Sequence, residues 1–162
     1  MSTIGGLVDW NRQHGSASAQ PGMSPRPGRR VAIVTCMDTR IEPGRVLGIA
    51  AGDAHVLRNA GAVVTEDVIR SLVLSQVALG TEEIMVIGHT RCGVEGLDTR
   101  AVRTDVEHQR GRRPLFDFHG FPSVTEEVRS SVRTLERSPF LEGTVRGFVY
   151  DVDSGALNPV EA

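Results

Sequence analysis

Two apolar runs constrain the fold of this chain more than any other feature: RVAIVTC (30–36) and EEIMVIGH (82–89). Both are continuous rather than alternating, the pattern of short strands covered on both faces, as in parallel sheets. HVLRNAG (55–61) reads as another short strand ending in a loop. Between them TEDVIRSLVLSQVALG (65–80) predicts a helix: Thr65 can cap it, Glu66 and Asp67 suit its positive first turn, and Gly80 can end it. SVTEEVRSSVRTLER (123–137) opens on a capping box, Ser123 with Glu126, and sets Val124, Val128, Val132 and Leu135 on one face. VRGFVYDVDSGALNPV (145–160) then predicts a strand, a turn at Asp153-Ser154-Gly155 and a returning strand. Strands alternating with helices make an α/β domain with a mainly parallel central sheet, of order about 2-1-3-4 with an added C-terminal strand.

The flanks are less regular. Residues 3–13 predict a short helix with a sparse stripe of Ile4, Leu7, Val8 and Trp10. GSASAQPGMSPRPGRR (15–30) is too rich in Gly, Ser and Pro for a regular element. Residues 1–29 thus read as an arm and linker, and 30–162 as the domain. Residues 94–121 have no clean period, and RGRR within them reads as a solvated loop. A net charge of −2 in 162 residues gives no reason to expect a nucleic-acid partner. No apolar run approaches the ~18 residues that span a bilayer, so no membrane partner is expected. MSTIGGLVDWNRQHG lacks the charged start and apolar core of a secretory signal, which predicts a cytoplasmic protein.

The polar ends of the strands carry the chemistry. In CMDTR (36–40), Cys36, Asp38 and Arg40 recur every second residue, so an extended chain points all three one way. Buried charges need a partner or a ligand. Cys36 ends the first strand, and His89 and Cys92 lie at and just past the end of the third. In a sheet of order 2-1-3-4 those ends are neighbours at the switch point. Cys-His-Cys is a catalytic zinc set, leaving a fourth position open. The bland alternative is two buried thiols and a capping histidine. The remaining histidines, His14, His55, His108 and His119, lie outside any ligand spacing and read as surface or capping residues.

CMDTR and HTRCG, with RNAG (58–61) between them, resemble the signatures of the β-class carbonic anhydrases, in particular their short prokaryotic, cab-type branch. The likeness runs from about residue 30 through 152. It implies Zn2+ held by Cys36, His89 and Cys92, and a catalytic dyad in which Arg40 holds Asp38 while Asp38 orients the zinc-bound hydroxide. It also implies a substrate-binding backbone amide at Gly93. The activity it implies is that of a lyase: zinc-dependent reversible hydration of carbon dioxide to bicarbonate and a proton. Hydrolysis of carbonyl sulfide or carbon disulfide is the alternative substrate reading. A zinc-stabilised, non-catalytic binding module is disfavoured by the intact Asp38 and Arg40, which structural zinc does not need. Homodimers or dimers of dimers are implied, with residues 1–29 suited to lie across a partner. Gln20 is too far upstream to match the glutamine of plant-type members, and Arg91 reads as a surface ion-pair partner.

Overall fold

The computed structural model describes residues 2–161. Its centre is a five-stranded sheet of β1 (Val31–Cys36), β2 (Ala54–Asn59), β3 (Glu83–His89), β4 (Thr144–Tyr150) and β5 (Leu157–Val160), in the order β2-β1-β3-β4-β5. The first four are parallel, and β5 returns antiparallel along β4. This is the expected architecture, with the C-terminal strand added at the edge. The register sets Thr35 beside Ile87 and Cys36 beside Asn59, so the carboxyl ends of β1, β2 and β3 share one edge.

Burial explains the continuous runs. Ala32 through Cys36 are all buried, as are Ile84, Val86 and Ile87, because the central strands have no solvent face. Helix α3 (Glu66–Val77) starts at Thr65, whose side chain accepts from the Val68 N–H at 3.4 Å, and buries Val68 and Leu72. Its regular part stops short of Gly80. That glycine, at φ 78°, closes the end: its N–H donates to Gln76 O (3.0 Å) and the Thr81 N–H donates to Ser75 O (3.1 Å).

Helix α5 (Val124–Glu136) lays its predicted face, Val124, Val128, Val132 and Leu135, into the core over β3 and β4. It sits close because the strands beneath carry glycine. A Cβ on Gly147 would stand 2.6 Å from Val128 Cγ1 and 2.9 Å from Val132 Cγ2. Both valines are held to one rotamer in a helix, so they have little room to yield. Gly147→Ala is expected to destabilise the fold by about 1–3 kcal/mol through overpacking. Adding Val128→Ala should recover part of the loss, which urea denaturation of the single and double variants would measure.

Three segments carry structure that the sequence leaves unassigned. Within 94–121 the chain forms α4 (Thr99–Arg110), capped by Asp98, which accepts from the N–H groups of Arg100 and Ala101, and stopped by Gly111 at φ 66°. None of its residues is fully buried, and its apolar side is reduced to the half-buried Val102 and Val106. A short helix α2 (Pro43–Leu47) follows the first strand, with Pro43 opening it. Residues 15–18 make a single 3₁₀ turn inside the Gly/Ser/Pro-rich segment. Further along that segment, Pro25 O bonds His55 Nε2 (3.0 Å), whose Nδ1 bonds Ser75 Oγ (2.7 Å); His55 is a structural anchor. The N-terminal helix α1 (Thr3–His14) forms as predicted and buries none of its residues.

Candidate metal centre

The sheet brings the soft ligands together. Cys36 is the last residue of β1, His89 the last of the neighbouring β3, and Cys92 follows one tight turn later. All three are buried, and their ligand atoms lie within 4.8 Å of one another. Both thiols are free. His89 is fully buried, and its Nδ1 donates to the Thr90 carbonyl at 3.0 Å. That bond fixes the tautomer and leaves Nε2 as a bare acceptor, with no hydrogen-bond partner among the described residues. A buried imidazole nitrogen without a partner costs free energy unless something electropositive completes it. Two sulfurs and one aimed imidazole nitrogen fit zinc in both ligand type and number.

The electrostatics prepare one ligand in particular. Burial pushes the Cys36 thiol up, but a proton on the His89 imidazole, standing where a cation would sit, and the backbone N–H groups of Asp38 and Gly61 outweigh it and bring its pKa to about 7. The Gly61 N–H donates to Cys36 Sγ at 3.4 Å. Burial pushes the Cys92 thiol up, and the neighbouring Cys36 adds to this. A cation shared by both would remove the conflict, because it binds the thiolates that burial disfavours.

Beside this cluster lies the second group. Arg40 donates to Asp38 twice, Nε to Oδ1 at 2.8 Å and Nη2 to Oδ2 at 2.7 Å, and its backbone N–H adds a third bond to Oδ1 at 2.9 Å. These bonds from the guanidinium hold the Asp38 carboxyl well below the usual carboxylate range. Asp38 in turn raises Arg40. Asp38 Oδ2 stands 3.9 Å from His89 Nε2, on the side of the cluster.

Asp38 and Arg40 meet as expected, but strand alternation is not the cause. β1 stops at Cys36, and residues 38–41 form a turn in which the Ile41 N–H donates to Asp38 O at 3.1 Å. Arg58 fixes this turn: its Nε donates to Cys36 O (3.0 Å) and its Nη2 to Asp38 O (2.8 Å). Arg58 stands in the quoted RNAG, yet nothing in its spacing assigns it this task, which depends on β2 pairing with β1.

Gly93 lies exposed next to Cys92, and a Cβ there would meet nothing within 4 Å. A cavity of 460 Å³ opens beside the dyad, lined in part by Thr39, Arg40, Arg45 and Tyr150, and none of the three soft ligands lines it. Arg91 pairs with Asp153 across exposed surface, as read from the sequence. His14, His108 and His119 are not part of the cluster.

Comparison with known proteins agrees with this geometry. The family model described as carbonic anhydrase matches residues 31–115. A protein of Mycobacterium tuberculosis described as beta-carbonic anhydrase 1 is 45% identical over 147 residues, covering 89% of this chain and 90% of that protein. The crystal structure of a carbonic anhydrase from Streptococcus mutans superposes with a TM-score of 0.91 at 38% identity, covering 99% of each chain. A carbon disulfide hydrolase of Acidianus is 33% identical over 155 residues, covering 80% of this chain and 76% of that protein.

Proposed function

Because the chain belongs to the β-class carbonic anhydrase family, we propose that it catalyses the reversible hydration of carbon dioxide to bicarbonate and a proton, with Cys36, His89 and Cys92 holding zinc. The observation that carries this reading is the unpartnered His89 Nε2, buried between two thiols and 3.9 Å from the carboxylate of an Asp38–Arg40 pair. Bound there, zinc would supply a Lewis acid that lowers the pKa of a coordinated water to about 7.

The chain's own residues account for the rest. Arg40 keeps Asp38 ionised, so Asp38 acts as a hydrogen-bond acceptor and not as a general acid or base near neutral pH. Oδ2 faces the cluster and accepts the O–H of the attacking water, which aims the remaining lone pair at the carbon of carbon dioxide. The O–C bond forms as one C=O π pair moves onto its oxygen, and one proton leaves to solvent. In this reading the backbone N–H of Gly93, next to Cys92, donates to an oxygen of the bound substrate.

Carbon disulfide or carbonyl sulfide hydrolysis is the second reading, favoured by the Acidianus relative but at lower identity and coverage than the M. tuberculosis one. Stopped-flow rates on carbon dioxide, carbonyl sulfide and carbon disulfide, with zinc counted per chain, test the assignment. Fast turnover of carbon dioxide supports it, while turnover confined to the sulfur substrates overturns it.

The working form is a homodimer or a dimer of dimers. Its support is α1, which leaves Ile4, Leu7, Val8 and Trp10 exposed on a helix that buries nothing on its own chain. Deleting residues 1–25 is expected to shift sedimentation at micromolar protein towards monomer; a fully active wild-type monomer would overturn the reading. No helix among the described residues is long and apolar enough to cross a membrane. A reducing, cytoplasmic setting suits two cysteines that are free and serve as ligands.

A further inference from the structure

Arg91, between the ligands His89 and Cys92, adopts a left-handed backbone at φ 55°. A non-glycine residue there is strained and persists only where its surroundings impose it. The imposing structure is the end of β4 and the turn that leads to β5. The Thr90 N–H donates to Tyr150 O (3.0 Å), and the Val152 N–H donates to Thr90 Oγ1 (3.1 Å). Asp153, the partner of the Arg91 side chain, is itself set by Asp151, whose Oδ1 accepts the N–H groups of Asp153 (2.8 Å) and Ser154 (3.2 Å).

What the strained turn presents is a carbonyl. Arg91 O accepts from Arg40 Nη2 at 2.9 Å. That same nitrogen donates to Asp38 Oδ2, while Nε holds Oδ1. Asp38 alone fixes the guanidinium only to its own 38–41 turn, which Arg58 ties to β2. The Arg91 carbonyl adds an anchor on a different strand connection. The Arg91 side chain is 60% exposed and its ion pair with Asp153 is correspondingly weak, so the backbone and not the charge carries the effect.

We propose that Arg91 is a positioning residue, whose left-handed backbone aims a carbonyl that fixes Arg40 and through it Asp38. This rests on the catalytic reading of Asp38 above. It ties the order of the dyad to the far edge of the sheet, through the turn between β4 and β5.

The test compares Arg91→Asn, Arg91→Gly and Arg91→Val in the full-length, zinc-loaded protein. All three remove the charge. Asparagine and glycine accept positive φ, and a β-branched residue does not. The valine variant is expected to show a kcat about tenfold or more below those of the asparagine and glycine variants, with KM little changed and zinc per chain equal. A second readout is independent of turnover: the ¹⁵N-resolved solvent exchange of the Arg40 Nε–H. It should be slow in wild type and in the asparagine variant, and faster in the valine variant. Equal kcat in all three, or equal loss in all three, overturns the proposal, as does unchanged Arg40 exchange in the valine variant. Should the wild type fail to hydrate carbon dioxide, the exchange readout still decides whether residue 91 fixes Arg40, so the two readings fail separately.

Discussion

Cys92→Ser protein is expected to carry less than about a tenth of the wild-type zinc and to lose nearly all turnover. A serine hydroxyl has nearly the thiol's shape but stays protonated near neutral pH, so it cannot replace a thiolate ligand. The surroundings sharpen the effect. Burial already pushes the Cys92 thiol up, so its ionised form depends on a cation to hold it. Without the metal, His89 Nε2 keeps its buried lone pair uncompensated, and bound zinc no longer favours the native state. The variant should therefore melt below the zinc-loaded wild type and close to wild type stripped with a chelator. Elemental analysis and thermal unfolding of the three samples check this together. Wild-type zinc content in the variant would remove Cys92 from the ligand set.

How legible each element is in the sequence depends on what its residues touch. The central strands announce themselves because Ala32 to Cys36 have no solvent face, and burial on both sides erases alternation. Helix α5 is equally plain, since Val124, Val128, Val132 and Leu135 must meet one core. Helix α4 is the opposite case. Its residues Arg103 and Glu107 engage the loop that follows, at Pro114 and Phe118 and at Arg113, and only Asp98 and Gly111 mark its ends. A helix whose inner side is only Val102 and Val106 leaves little apolar signal.

The site divides the same way. Cys36, His89 and Cys92 were readable because strand ends in a 2-1-3 order fall side by side. Asp38 and Arg40 were paired correctly from a strand argument, while the chain in fact turns after Cys36 and the guanidinium folds back on the carboxylate. Arg58 and the carbonyl of Arg91 were not legible. Each acts through long-range contacts, 22 residues back to Cys36 and 51 residues back to Arg40, that exist only once the strands have paired.

Asp38→Asn is expected to lower kcat by about 10²–10³-fold while zinc stays near one per chain, which separates this residue's part from that of the ligands. Asparagine keeps the size of the side chain but offers one oxygen and one NH₂ where the carboxylate offers two acceptors. Arg40 holds both of the native oxygens, and Oδ2 must also face the cluster. An amide that turns its oxygen to Arg40 Nε presents its NH₂ towards Nη2 and the reacting water, where only an acceptor serves. The opposite flip satisfies the water and leaves the guanidinium opposed to a donor. Neither orientation reproduces the native pattern, so the attacking lone pair is no longer selected. The cost to folding should be small, because Arg40 is 43% and Asp38 18% exposed at the side chain and solvent screens the pair. A large kinetic loss with little change in the denaturation midpoint is therefore the expected signature. Turnover within about threefold of wild type, at equal zinc, would take Asp38 out of the reaction.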